Sequence, residues 1–306
     1  MAMLEVCGFH DWVVEALNAC KCVQVVITQP TERRRQKTDA RDARELAEKL
    51  WMHRSHLLAG ERPAGLRVVE PPSELESQAR RLTAARMRLT QKRTKCLNGL
   101  RRILRRRNLQ HGCPTKTIWT KAAKQWMKEL PLDPIDQCDL HGLMAQLEVL
   151  DRQNKALMEQ MARLEPLFQA IPLLETIPGI SLFSALAIAC RVGRLERFRR
   201  GRSLANFFGV APGINDSGDR KGNVGRITKQ GSPVVRHALC QAVVHLIRKS
   251  AVIRKWYQGI KRRRGPGKAR VAVMRRMAGV IHRMLTTGET FDSVISSTGA
   301  TVRCGS

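Results

Sequence analysis

The stretch "MLEVCGFHDWVVEALNACKCVQVVIT", residues 3–28, decides how the first part of this chain folds. It opens with a short apolar run that Gly8 stops. Trp12, Val13, Ala16 and Leu17 then recur at helical spacing, and "VQVVIT" is a β-branched run bounded by Pro30. The pattern predicts strand, helix, strand, because short apolar runs and a 3.6-residue period belong to those two backbones. Two parallel strands joined by a crossover helix are an interior piece of an α/β sheet. A strand at residue 2 with no strand before it leaves a neighbour unpaired, so the chain is expected to begin part-way through its fold.

Working outward, "KTDARDARELAEKL", residues 37–50, starts a second helix. Thr38 is a good N-cap residue, and Asp39 falls in the first turn, where the helix dipole favours negative charge. Asp42 is three positions on and shares a face with Asp39. Glu5 ends the first strand, and functional groups of parallel sheets gather at the carboxyl ends of strands. Three hard oxygen ligands meeting there would suit Mg²⁺ or Mn²⁺. Dipole stabilisation alone would also explain the two aspartates.

The chain has 55 Lys and Arg against 26 Asp and Glu, a formal charge of +29 over 306 residues. So large an excess calls for a polyanionic partner, nucleic acid first and an anionic membrane surface second. No run of 18 apolar residues exists, which excludes a spanning helix. Glu5, Asp11 and Glu15 near the start, with no basic n-region, exclude a secretory signal. The nine cysteines are scattered, without paired CxxC or Cys/His zinc spacing, and read as reduced thiols of a cytoplasmic protein.

"AGERPAGLRVVEPPS" reads as a turn-rich linker. Beyond it Leu75, Leu82, Leu89, Cys96 and Ile103 recur every seventh residue, a heptad seam on a helix with many bases and no acid after Glu76. A second seam runs through Leu140, Leu143, Leu147, Leu150, Asn154, Leu157, Met161 and Leu164, with Asn154 as a register-fixing polar residue. Two such helices are expected to form a protruding arm suited to dimerisation and phosphate contacts. Within "LLETIPGISLFSALAIACRVGRLERF", residues 173–198, the Pro-Gly turn at Gly179 has the look of a helix-hairpin-helix that offers amides to a phosphate. A plain αα-hairpin fits the same pattern.

The loop in "GVAPGINDSGDRKGNVGRITKQGSPVVRHAL" holds Ser217 among Arg220, Lys221, Arg226 and Lys229. Nearby cations are what a serine hydroxyl needs to act as a nucleophile on phosphate. A turn serine of no chemical importance is the alternative. Ser232 precedes Pro233 and reads as a helix N-cap. Arg262, Arg263, Arg264, Lys268 and Arg270 cluster in a basic Gly/Pro loop before a helix whose face carries Val271, Met274, Ala278 and Ile281. That cluster favours nucleic-acid contact.

Taken together, these stretches resemble the insertion-sequence transposases that pair a RuvC-like, four-acid domain with a second domain bearing a catalytic serine, the bridge-RNA-guided DNA recombinases. The segments that carry the resemblance are "LEVCG", "KTDARDARELAE", "IPGIS" with "SALAIA", "LANFFGVAPGINDSGDRKGNVGRITKQGSPVVRHAL" and "GKARVAVMRRMAGVIHRMLTTGETFD", in family order. The resemblance implies that Glu5, Asp39 and Asp42 are the second, third and fourth acids, holding Mg²⁺ (or Mn²⁺). It makes Ser217 the residue that attacks the DNA phosphate and forms a phosphoserine link. Nucleic-acid contacts are expected at Gly179, Arg220, Lys221, Arg226, Lys229, Arg236, Arg263 and Lys268.

The implied fold is α/β plus mostly α. It comprises a partial RNase H/RuvC-like sheet over 1–65, a basic helix and coiled-coil arm over 66–170, and a helical serine-bearing domain over 171–292 with the helix-hairpin-helix-like motif. A flexible tail follows over 293–306. The implied partners are DNA, a guide RNA and further copies of the chain in a dimer or tetramer, in the nucleoid-associated cytoplasm and not in a membrane. The family's first acid lies on an opening strand near "GID" that has no counterpart here, nor have the first three strands and a helix. Either the start is misassigned or the chain is an N-terminally truncated copy, and a catalytically inactive nucleic-acid-binding remnant is the alternative to an active enzyme.

Overall fold

The computed structural model describes residues 1–7, 11–29, 38–61, 63–214 and 224–301, the side chains at 11, 214, 224–226 and 298–301 excepted. It divides into two compact units, Met1–Ser73 and Glu74–Ser306.

In the first unit β1 (Ala2–Glu5) runs parallel to β2 (Val25–Thr28), with α1 (Asp11–Ala19) between them in sequence. The register sets Glu5 opposite Thr28 at the carboxyl ends. Helix α2 (Asp39–Leu58) follows, so strand, helix, strand, helix stands as the apolar pattern predicts. The expected linker is not all linker. Val68–Val69 forms β3, antiparallel to β2, and the sheet order is β1-β2-β3. Two β-branched residues suffice once a strand edge is on offer, which a sequence window does not reveal. Val26 and Ile27 are both buried, as expected of a strand covered on both faces. Met3, Val26 and Leu57 make the core, backed by Leu46 and Leu50 of α2.

In the second unit α3 (Glu74–Arg106) and α5 (Pro134–Leu164) pack along each other, with α4 (Lys121–Lys128) between them in sequence. Their pairing is antiparallel. Arg107 Nε meets Asp136 Oδ2 at 2.6 Å, Arg93 Nε meets Asp151 Oδ1 at 2.6 Å, and Arg86 Nε meets Met158 Sδ at 3.3 Å. Each step down one helix is matched by a step up the other. The two heptad seams thus satisfy each other within one chain, burying Cys96, Leu100 and Ile103 against Leu140, Met144 and Leu147. Asn154 is half-buried on this seam, and its Oδ1 has no hydrogen-bond partner among the described residues. Asp133 caps α5 by accepting from the backbone N–H groups of Ile135 and Asp136, with Pro134 in the first turn.

Asp151 ties three elements together, accepting from Arg93 and from Trp119 Nε1 at 2.7 Å. Desolvation pushes its carboxyl pKa up, but the hydrogen bonds from Arg93 and Trp119 and the charges of Arg93 and Lys124 outweigh that and leave it below the ordinary value. A depressed carboxylate contributes stability above its unfolded pKa of about 3.9, lost as pH falls through the folded value. The expected result is that Asp151→Asn lowers the urea midpoint at pH 7, and that the gap from the parent narrows below about pH 4.

The remainder of the unit is helical. It comprises α6 (Ala170–Glu175), α7 (Leu182–Val192), α8 (Gly201–Phe207), the strands β4 (Pro212–Ile214) and β5 (Val224–Ile227), α9 (Pro233–Lys249), α10 (Ala251–Thr287) and α11 (Phe291–Thr301). Helix α7 is the hub, buried at every residue from Phe183 to Val192. Its small, apolar sequence lets α3, α6 and α9 close on it from different sides. Ala79 of α3 and Met161 of α5 belong to the same core. One buried core thus joins the inner ends of α3 and α5 to the helices that follow residue 170.

Arg191 is buried in this hub, donating from Nη1 to Thr83 Oγ1 at 3.0 Å and to the Ala187 carbonyl at 3.1 Å. Burial lowers its guanidinium pKa. The expected basic Gly/Pro loop holding Arg262, Arg263, Arg264, Lys268 and Arg270 is instead helix, broken only at Gly265 with φ of 80°. Pro266 fits there as the opening residue of the second half. Most of the expected face holds, with Met274, Ala278 and Ile281 buried. The expected tail from 293 continues α11 to Thr301, because Val294 and Ile295 are buried in the main core.

Candidate functional site

The candidate acids lie on the first unit. Gln24 Nε2, just before β2, donates to the carbonyl of Leu57 at 3.3 Å, so the end of α2 sits by the start of the strand. Helix α2 thus runs antiparallel to β1 and β2, and its first turn, with Asp39 and Asp42, points toward the same end of the sheet as Glu5. From Leu57 back to Asp42 the helix covers roughly 22 Å at 1.5 Å per residue. From Gln24 to Thr28 the strand covers only about 13 Å. The first turn therefore overhangs the strand ends by roughly 10 Å for near-parallel axes. Glu5 and Asp42 are half-buried and Asp39 is exposed. Among the described residues no three Asp, Glu, His or Cys side chains are gathered closely enough to hold a metal ion. Thr38 occupies the N-cap position with extended backbone but makes no side-chain cap bond.

The candidate nucleophile belongs to the second unit. Ser217, Arg220 and Lys221 fall between β4 and β5, outside the described residues. The strands on either side are antiparallel, with Pro212 opposite Ile227 and Ile214 opposite Val224. Arg226 lies on β5. Below the hairpin the backbone is clamped. Thr228 N–H donates to the Ala211 carbonyl at 3.0 Å, and Lys229 N–H to the Gly209 carbonyl at 3.2 Å. Gly209 has φ of +68°, and a Cβ there would stand 2.6 Å from the Gly231 nitrogen. A Cβ on Gly231 would stand 2.1 Å from the Phe207 carbonyl oxygen. Only glycine permits both approaches.

Ser232 caps α9, accepting from Val235 N–H at 3.5 Å, with Pro233 opening the helix as its sequence implies. The candidate phosphate ligands differ in what they are free to do. Lys229 is exposed at φ of 55°. Arg236 is half-buried, and Nη1 donates to the Gly231 carbonyl, so part of its guanidinium braces the hairpin base. Burial lowers its pKa. Gly179 lies in the turn between α6 and α7 at φ of +88°, where a Cβ would meet His245 Cβ at 2.6 Å. Arg263 and Lys268 are exposed on either side of the Gly265 break.

Helix α3 splits its bases between two tasks. Arg80, Arg86 and Arg93 turn inward, onto the Cys190 carbonyl, Met158 and Asp151 of α5, and Arg107, just past the end of α3, pairs with Asp136. Arg81, Arg88, Lys95 and Arg102, each seven residues apart, form an exposed row. Such a row suits a phosphate backbone.

Residues 171–258 match a transposase family. It is described as the Transposase IS116/IS110/IS902 family. The chain is also 28% identical over 244 residues to "Transposase for insertion sequence element IS1111A" of Coxiella burnetii, covering 74% of this chain and 64% of that protein. It is 25% identical over 299 residues to "Putative transposase y4pF/y4sB" of Sinorhizobium fredii, covering 94% of this chain and 73% of the relative. The chain thus spans less than two thirds of the length of the Coxiella relative. The transposase-like span runs from α6 into the first half of α10 and takes in the hairpin, both clamping glycines and α9. It stops short of Arg263, Lys268 and the second half of α10. Among the described residues no helix is long and apolar enough to cross a membrane.

Proposed function

We propose that the chain is a DNA transposase or recombinase of an insertion sequence, which cuts and rejoins DNA through Ser217 under the guidance of an RNA. The observation that carries this reading is the transposase match over 171–258, since that span includes Ser217 and the clamped strands on either side of it. In the proposed step Ser217 Oγ attacks a phosphodiester phosphorus. The bond from phosphorus to the departing strand's oxygen breaks, and the serine proton passes to that oxygen. The phosphoserine ester keeps the phosphodiester bond energy, so a hydroxyl of another strand can reverse the step and reseal. Arg220, Lys221, Arg226 and Lys229 would offset the charge that builds on the phosphate.

Glu5, Asp39 and Asp42 would hold Mg²⁺ or Mn²⁺, which when bound supplies a Lewis acid for phosphoryl oxygen. The donor type suits such an ion. The three side chains are nevertheless not gathered in this structure, and no step here runs through the metal. That dispersal favours a second reading, nucleic-acid binding without cutting. Incubating the protein with DNA, candidate RNA and Mg²⁺, then separating it under denaturing conditions, distinguishes the two. A covalent protein–DNA adduct supports the first. Salt-sensitive binding with no adduct at any Mg²⁺ or Mn²⁺ concentration supports the second.

A dimer or tetramer is part of the first reading. The α3 and α5 seams are filled by each other, so self-association would use another surface. Breaking the core between α3 and α5 with Leu147→Ala should cost about 2–5 kcal/mol in a urea melt and leave the oligomer size by light scattering unchanged.

A further inference from the structure

A groove of about 570 Å³ opens where the start of α8 crosses the second half of α10. Its floor is apolar and small, made by Gly201, Ala205, Ala272 and Gly279. Its rim carries Arg202, Arg275, Arg276 and Arg283, and among the described residues no carboxylate lines it. Ala272, Arg276, Gly279 and Arg283 are spaced to share one face of α10.

Two observations give this groove the character of a receptor. The first concerns its glycines. A Cβ on Gly201 would stand 2.8 Å from Gly279 Cα, so the close crossing of the helices accounts for Gly201. Among the described residues nothing lies within 4 Å of the position a Cβ on Gly279 would take, so their packing does not account for Gly279. Glycine is disfavoured inside a helix, and here its effect is to leave the floor flat and open.

The second concerns the cations. Arg202 and Arg275 are exposed and have no hydrogen-bond or ion-pair partner among the described residues. The Arg276 guanidinium lies 5.0 Å from the Trp256 ring centroid, which holds it in place against the groove wall. Arg283 has an acid nearby, Glu289 at 3.7 Å.

We infer that this groove receives one unpaired nucleotide of a nucleic-acid strand, its base over Gly279 beside the Trp256 and Arg276 pair and its phosphates on Arg202 and Arg275. The inference rests on the nucleic-acid reading above and gives it a new contact point. A flat apolar floor beside an aromatic ring suits a base drawn out of its stack, and arginines suit the phosphates that come with it. The width of a paired duplex would keep its bases off this floor.

The test is fluorescence anisotropy of the full chain with labelled single-stranded DNA, single-stranded RNA and a duplex of equal length. Gly279→Leu fills the floor at a position with free space, so its thermal midpoint should match or exceed the parent's. It should weaken single-strand binding about tenfold while duplex binding stays within about twofold. The strand type showing that loss, DNA or RNA, identifies the source of the nucleotide. Arg202→Gln and Arg275→Gln, both exposed, should each leave the thermal midpoint unchanged and reduce the salt slope for the same strand by about one. Single strands should quench Trp256, with Trp256→Phe marking its share of the signal, and Gly279→Leu should remove that quench. Equal binding of single strands by Gly279→Leu and parent overturns the inference alone, as does an equal loss for strand and duplex. A parent that binds no nucleic acid overturns the functional reading with it.

Discussion

Replacing Ser217 by alanine removes the covalent protein–DNA adduct and leaves the affinity for DNA within about twofold, since a nucleophile makes its main contribution in the bond it forms. Alanine has no oxygen to join to phosphorus, so the expected loss is below detection. The informative control is Ser232. Its hydroxyl accepts a hydrogen bond from Val235 N–H at 3.5 Å, at the opening of α9. Ser232→Ala should cost roughly 0.5–1 kcal/mol of stability, as for a long cap bond, and keep the adduct. Two serines 15 positions apart are thereby separated by chemistry. An adduct of parental yield from Ser217→Ala would move the nucleophile elsewhere.

Gly231→Ala should be among the most damaging single substitutions in the helical unit. The added methyl would stand 2.1 Å from the Phe207 oxygen, 2.4 Å from the Phe208 carbonyl carbon and 2.7 Å from the Gly209 nitrogen. All three are backbone atoms, so no rotamer change relieves the clash. The end of α8 must separate from the base of the hairpin, at a cost of about 3 kcal/mol or more. A urea melt measures this directly, and adduct yield should fall with it because the strands flanking Ser217 lose their anchor. Gly209→Ala meets the other side of the same contact, the backbone nitrogens of Gly231 and Gln230, and adds strain at φ of +68°. The two changes together should cost less than their separate losses, since one displacement relieves both. A Gly231→Ala protein with parental stability would mean that the chain does not clamp the hairpin in this way.

The candidate site was legible where chemistry sits in a contiguous stretch. Ser217 with its neighbouring cations, the Ser232 cap and the pair Asp39 and Asp42 all stand out in a few adjacent residues. The arginine groove did not, because Arg202 and Arg275 are far apart in the chain and meet only where α8 lies across α10. Arg236 read as one more phosphate ligand, yet part of its guanidinium holds the Gly231 carbonyl. Charge alone does not tell a free arginine from one engaged by a carbonyl. Arg86 and Arg93 on α3 are engaged too, by the Met158 sulfur and the Asp151 carboxylate.

The sequence by itself determined the local elements: β1, α1, β2 and α2, the two long seams, and the proline-led start of α9. Each of these follows from residues within a turn or two of one another, whose periodicity and caps act before any distant contact forms. Only the tertiary structure decided how the elements were used. A heptad seam requires an apolar partner without saying whose, and here α3 found α5 of the same chain. Gly265 and Pro266 suit a loop as well as a one-residue break, and the two halves of α10 settled on the break while packing against α8, α9 and α11. Val294 and Ile295 turned an expected tail into α11 because the assembled core could cover them. Burial is a property of the whole assembly, and a sequence window carries only the demand for it.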